Sequence, residues 1–247
     1  MKTALITLAA VASVAAAQQV ESRAELLGIL GDREYTEDFE GFSVHGGTVV
    51  VAPNPLNSDT APAGWGILQG VSYSTPGTLK IYGGFLHGDD SNLLEATDDL
   101  LIEFDHPQAA VGFDIVNITG NVSWTDEVTF YHGASSLGTV SFPLPSASDT
   151  FAGWQDQAVG ITSVRVSVTS GSQFGIPIAD NVSWGLDVAA CPADLAAPFG
   201  VLDLADITAF IDAFVHQDPL ADIAPPAGVF DLADINLFVN TFIAGCP

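Results

Sequence analysis

Positive charge is almost missing from this chain. Five Lys and Arg residues stand against 30 Asp and Glu, a formal net charge of −25 over 247 residues. A surface of that sign repels phosphate backbones, which argues against nucleic acid and against anionic membranes as partners. It is compatible with divalent cations, with a saline habitat, or simply with solubility. Cysteine occurs only twice, at Cys191 and Cys246. Catalytic signatures are missing as well: there is no G-x-S-x-G elbow and no H-E-x-x-H. The five histidines (His45, His87, His106, His132, His216) are scattered without metal-ligand spacing. His87-Gly88-Asp89-Asp90 is the one compact polar cluster and reads as a loop. No apolar run reaches the ~20 residues that a membrane-spanning helix needs.

The longest apolar run, residues 4–16, follows Lys2 and ends on the A-x-A pair Ala15 and Ala17. That order predicts a signal peptide over 1–17, cleaved before Gln18, and an exported mature chain without membrane insertion. Residues 18–36 read as a short polar lead-in with a helical turn or two around 25–30.

From 37 to 188 the pattern is that of a sheet. Eight runs (48–52, 77–82, 100–104, 109–116, 127–131, 137–142, 161–169 and 178–184) are rich in Val, Ile, Phe, Thr and Tyr, and turn formers separate them. Ser163-Val164-Arg165-Val166-Ser167-Val168 alternates most cleanly. Short strands without crossover helices predict an antiparallel β-sandwich, a jelly roll of about eight strands. With an apolar content of 48% the chain can build a real core.

Flat rings pack against pyranose faces, so tryptophans are the candidate sugar contacts. Trp65 (in Ala63-Gly64-Trp65-Gly66) and Trp154 (in Ala152-Gly153-Trp154-Gln155) lie in glycine-containing contexts and are the candidate ligand-binding residues. Trp124 and Trp184, each in Asn-Val-Ser-Trp, are expected in the core; Tyr73 and Tyr82 are further aromatic candidates. Glu40 and Asp180 are embedded in apolar sequence, where an unpaired charge is costly. Either they share a structural calcium where the first and last strands meet, or they bond to neighbouring turns.

The last quarter contains one unit written twice. Residues 193–214 and 221–242 align with 13 of 22 positions identical at an offset of 28. Such a repeat is one supersecondary unit that buries its apolar face against its copy. Each copy reads as a loop and then a helix. Ile207, Phe210, Ile211 and Phe214, and in the second copy Ile235, Phe238, Val239 and Phe242, fall at i, i+3, i+4, i+7 and predict one apolar stripe per helix. Asp206 and Asp234 precede the stripes, where a carboxylate meets the free N–H groups of a helix start.

Cys191-Pro192-Ala193-Asp194, the paired Asp203-Leu204-Ala205-Asp206 and Asp231-Leu232-Ala233-Asp234, and the ending Ala244-Gly245-Cys246-Pro247 resemble a dockerin. They are more closely similar to the GC-type dockerin-like ending of planctomycete-type secreted proteins. The resemblance implies an all-α tether at 191–247 for a cohesin-like or envelope protein partner, on a bacterial cell surface or outside the cell. It also implies EF-hand-like loops holding calcium. Asp194, Asp203 and Asp206, and Asp222, Asp231 and Asp234, stand at ligand positions, while Ala196, Pro198, Ala224 and Pro226 stand where Asn or Asp is expected. The alternative is that Asp206 and Asp234 cap helices, with Asp194 and Asp222 in turns. The cysteines at the two ends of the module suggest a disulfide between Cys191 and Cys246.

The sandwich is similar to PEP-CTERM-type ectodomains and to carbohydrate-binding modules. The pieces that carry this are Asp38-Phe39-Glu40-Gly41-Phe42, Val111-Gly112-Phe113-Asp114-Ile115, Leu137-Gly138-Thr139 and the segment from Ile178 to Gly185. The expectation is a non-catalytic exported protein whose sandwich faces a polysaccharide and whose repeat docks it. A polysaccharide hydrolase on the same scaffold, whose paired acids need not be close in sequence, and a matrix or coat component without a small ligand are the alternatives.

Overall fold

The computed structural model describes residues 17–31, 34–42, 44, 46–84, 91–118, 122–156, 158–171, 176–185, 191–196, 201–224 and 228–245. Residues 1–16 of the expected signal peptide (1–17), the expected loop at His87-Gly88-Asp89-Asp90, the segment 186–190 and Cys246 lie outside the described residues.

Thirteen strands are present among the described residues: β1 (Gln18–Val20), β2 (Glu34–Glu37), β3 (Val49–Val51), β4 (Val71–Ser74), β5 (Leu79–Tyr82), β6 (Leu93–Ala96), β7 (Leu100–Gln108), β8 (Ala110–Asn117), β9 (Trp124–His132), β10 (Ser135–Leu144), β11 (Ser148–Gln155), β12 (Ile161–Gly171) and β13 (Ile178–Gly185). They form two sheets. The larger runs β1-β11-β8-β13-β6-β5-β3, with β2 also paired to β13; the smaller runs β10-β9-β12-β7-β4. Every pairing is antiparallel. All eight runs expected from sequence are strands. The count is higher than eight because β1, β2, β4, β6 and β11 join them.

The pleat sorts the side chains. On β9, Trp124, Asp126, Val128 and Phe130 are buried, and Thr125, Glu127, Thr129 and Tyr131 alternate with them. The buried rows of β7 (Leu100, Ile102, Phe104), β12 (Val164, Val166), β5 (Leu79, Ile81) and β8 (Val111, Phe113, Ile115) meet them in one core. At one edge of the sandwich the Trp154 ring stacks on Phe130 with centroids 5.5 Å apart. It lies over Gly138, where a Cβ would come within 2.1 Å of the indole.

The segment expected as a lead-in is part of this body. β1 extends the large sheet along β11, β2 pairs with β13, and between them helix α1 (Arg23–Leu30) lies on the sheet's outer side. Ser22 caps α1 by accepting the Glu25 N–H (3.2 Å). Leu26 and Leu30 pack with Val20 and Ala110 in a second small core. Gly112 of β8 makes room for this: a Cβ there would lie 2.4 Å from Phe151 and 2.8 Å from Leu26. Arg23 ties α1 down, donating to Ser183 Oγ (2.9 Å) and the Asn181 carbonyl (2.9 Å) and pairing with Asp114 (2.9 Å).

The repeat has its own core. Helices α2 (Leu204–His216) and α3 (Leu232–Ala244) face each other through Phe210 and Phe238, stacked at 4.2 Å with an interplanar angle of 13°. Cys191, Ala193, Leu195, Ala213, Leu220 and Ala221 close around them. Ile211 and Val239, expected in the stripe, are 57% and 44% exposed. Two short helices meet along a seam one residue wide, so positions i, i+3 and i+7 fill it and i+4 falls outside.

Asp126 is the exception in the sandwich core. It is fully buried and neither carboxylate oxygen is in a hydrogen bond. Burial pushes its pKa up to about 7, against a smaller opposing pull from the Trp124 indole. The folded state therefore keeps a proton that the unfolded chain releases near pH 4. Its contribution to stability falls by about 1.4 kcal/mol per pH unit between those values as pH rises, and is flat above. Asp126→Asn removes the titration. Its stability relative to wild type, measured by denaturant unfolding, is expected to climb from pH 4 to pH 7 and then level. A difference that stays flat from pH 4 to pH 8 would refute the buried-acid assignment.

Candidate functional site

The outer face of the five-stranded sheet contains a groove of about 700 Å³. The register builds it. Ser163 of β12 lies opposite Tyr131 on one side and Glu103 on the other, and Glu103 in turn lies opposite Ser72. One step along, Arg165 is flanked by Thr129 and Leu101, and Leu101 by Ser74. All of these occupy the outward set of the pleat, since Val164 and Val166 point into the core.

Asp99, just before β7, accepts two hydrogen bonds from Arg165: one from Nε at 2.9 Å and one from the terminal nitrogen. This forked contact fixes the guanidinium at the side of the groove. The wall beyond Tyr131 is the β9–β10 turn, where Gly133 has φ of +55° and donates its N–H to Thr162 Oγ1 (2.8 Å). His132 Nδ1 meets the Gly160 carbonyl at 3.0 Å. The result is a shallow trough with one tyrosine ring, the apolar side chains of Pro76, Leu101 and Ala134, a fixed ion pair, the acid Glu103 and several hydroxyls. Such a lining offers a flat apolar surface and directional donors and acceptors to a neutral polyhydroxylated ligand.

The tryptophans expected as ligand contacts are not there. Trp65 is half-buried against Phe42, centroids 4.6 Å apart, and Trp154 plugs the sandwich edge over Gly138. The glycine context of Trp154 is not a loop: Gly153 sits within β11, where a Cβ would meet Phe151 at 2.6 Å. Trp124 and Trp184 are in the core as expected, and Tyr73 is fully buried. Tyr131, Arg165, Asp99 and Glu103 were not singled out from sequence. The one available signal was the alternation that places Arg165 on the same face as Ser163.

Glu40 and Asp180 reach the same segment by ordinary hydrogen bonds. The Asn92 N–H donates to Glu40 Oε1 (2.6 Å), and the Ser91 hydroxyl donates to Asp180 Oδ2 (2.8 Å). The Asn181 N–H donates to Asp180 Oδ1 (2.8 Å).

In the repeat, Asp206 and Asp234 are completely buried. Asp206 Oδ1 accepts the N–H groups of Leu195 (2.8 Å) and Ala196 (2.9 Å), and Oδ2 accepts that of Asp203 (2.8 Å). Asp234 repeats the pattern with Ile223 (3.0 Å), Ala224 (2.8 Å) and Asp231 (3.0 Å). Asp203 and Asp231 are N-caps, accepting from Ala205 and Ala233 at 2.6 Å each. Asp194 is buried, and Asp222 accepts the Gly228 N–H. Among the described residues no three carboxylate, imidazole or thiol groups converge as a metal site. Cys191 is buried and is not a free thiol.

The outer sides of the two helices carry a duplicated apolar surface. Leu204, Ile211 and Val215 on α2, and Leu232, Val239 and Ile243 on α3, are 44–79% exposed. Leu204 matches Leu232, Ile211 matches Val239 and Val215 matches Ile243 at the 28-residue offset.

No protein-family model matches the chain, and no curated protein matches it. Solved structures similar to it include the K2 cleaved adhesin domain of Lys-gingipain, at 16% identity over 62% of this chain and 99% of that one, with a TM-score of 0.34. They also include the family 11 carbohydrate-binding module from Clostridium thermocellum in complex with a β-1,3-1,4-mixed-linked tetrasaccharide, at 13% identity over 62% of this chain and 96% of that one, with a TM-score of 0.31.

Proposed function

We propose that this is a non-catalytic exported protein in which the sandwich binds a neutral polysaccharide in the groove of its five-stranded sheet and the C-terminal repeat docks it to a protein partner. The observation that carries the first half is the groove itself, with Tyr131 as the stacking ring and the Asp99–Arg165 pair as fixed polar contacts. The second half rests on the duplicated apolar surface of α2 and α3. An exposed patch rimmed by polar residues marks an interaction site, and the acids Asp203, Asp212 and Asp231 beside it suit a partner with a basic rim. On this reading the body is a jelly roll, the repeat is a dockerin-like module clasped by Cys191 and Cys246, and the protein works at a bacterial cell surface or outside the cell. Among the described residues no helix is long and apolar enough to cross a membrane.

Affinity electrophoresis in gels containing soluble β-glucans, xylans or mannans tests the groove. One of these polymers is expected to retard the wild-type protein. Tyr131→Ala should weaken that binding about tenfold, equal to about 1.4 kcal/mol, while Trp65→Ala leaves retardation unchanged in whatever protein folds. Retardation by every polymer equally, or by none, would sink the groove assignment.

The docking face has a separate readout. An envelope protein captured by the wild-type chain should be released by Val215→Asp combined with Ile243→Asp, because a charge in a desolvated apolar contact is costly. Capture that survives both substitutions would place the docking surface elsewhere.

A further inference from the structure

We propose that each loop of the repeat is closed by its own buried carboxylate, with backbone N–H groups standing where an EF-hand-like loop gathers oxygens around a cation, so that the repeat folds without calcium. In a calcium loop the ion is the hub: oxygens from alternate early positions and a late acid all point at it. Here the late acid is the hub. Asp206 draws in the N–H groups of Leu195 and Ala196 from the start of the loop and that of Asp203 from its end. Three of its roughly four lone-pair sites are thereby filled.

Ala196 and Ala224 occupy positions where a ligand side chain is expected, yet each supplies a donor in place of an oxygen. A cation placed at either hub would face the positive ends of three N–H dipoles. The arrangement is built twice from residues 28 apart, at 2.8, 2.9 and 2.8 Å in the first copy and 3.0, 2.8 and 3.0 Å in the second. The helix that follows adds its own N-terminal dipole to the same carboxylate, since Asp206 and Asp234 are each the third residue of their helix and close a capping box with the N-cap. Charge is thus balanced by dipoles the chain already owns, and the loop geometry does not depend on the ion content of the medium. This inference concerns folding and stands whether or not the repeat docks to a protein.

Residue-resolved hydrogen exchange on the full secreted chain tests it, read at Leu195, Ala196, Ile223 and Ala224 in 5 mM EDTA and again in 5 mM calcium chloride. Protection of these four amides is expected to agree within about fivefold between the two media. A larger loss in EDTA would overturn the proposal. Asp206→Asn trades an acceptor oxygen for a donor NH2, so exchange at Leu195 and Ala196 should speed up with calcium present or absent, while Ile223 and Ala224 hold their rates. Unchanged exchange at Leu195 and Ala196 in that variant would also overturn it. If Asp206→Asn does not fold, the comparison of wild type in the two media decides alone.

Discussion

A chain with 30 acids and five bases cannot neutralise its buried carboxylates with side-chain cations, and most of the local architecture follows from that shortage. Apart from the protonated Asp126 and from Glu95, which Lys80 meets, several acids that enter the interior are held by backbone N–H groups. Glu37 accepts from Phe39 (3.0 Å) and Leu68 (2.8 Å), and Asp156 from Ala158 (2.9 Å) and Val159 (3.2 Å). Asp206 and Asp234 take three donors each. Hydrogen bonds to a charged group contribute about 1.5–3 kcal/mol each, against a desolvation cost of several kcal/mol per ion. Two or three such bonds are therefore what a buried acid needs to stay charged, and the pKa of Asp126, which has none, is instead pushed up to about 7. Each also fixes two backbone segments relative to each other, so the same contacts order the loops. Burial still holds Glu37 above the usual carboxylate range, because two N–H donors only partly offset desolvation.

Three of the five bases lie among the described residues, and each pairs with an acid. Arg23 spans from α1 to three residues on β8 and β13, and Lys80 meets the buried Glu95 across β5 and β6 at 2.7 Å. Arg165 alone among these is spent on an exposed surface, bound to Asp99 in the groove. In a protein so short of positive charge, a fixed and half-exposed guanidinium beside a tyrosine is the least expected feature of the surface. It is also the reason to look for the ligand there.

Much of the fold was legible from residue pattern because the pleat imposes a period of two wherever one face is buried and the other is wet. That held for β7, β9 and β12. It failed where both faces are covered: Leu93, Leu94, Glu95 and Ala96 of β6 are all buried, so no alternation exists and the string reads as helix-like. It failed again for β11, whose Ser, Asp and Gly look like turn formers, although Gly153 is required by the rings of Phe151 and its neighbours. β1, α1 and β2 were visible only as a polar segment, because their reason to be ordered lies in bonded partners 91 to 160 residues away, on β8, β11 and β13. The groove escaped for the same reason. Tyr131, Arg165, Glu103 and Asp99 come from separate stretches of chain, and only the registers of four strands bring them to one face.

The repeat shows the opposite case, in which duplication made the design readable but its chemistry had to come from geometry. Identical Asp-Leu-Ala-Asp stretches say that the two acids do the same job, and they leave open whether that job concerns a metal or a backbone. Six backbone N–H groups point at these two carboxylates, and that direction is the ground for the calcium-free folding proposed above. Duplication then has a second consequence. Because each Asp clasp sets the start of its helix, the two helices present equivalent residues at equivalent places. The outward Leu, Ile and Val of α2 recur on α3 without being needed by the core, which Phe210 and Phe238 already fill. Apolar residues kept twice on the wet side of a helix cost solubility and add nothing to the interior packing, which is the ground for the docking surface proposed above.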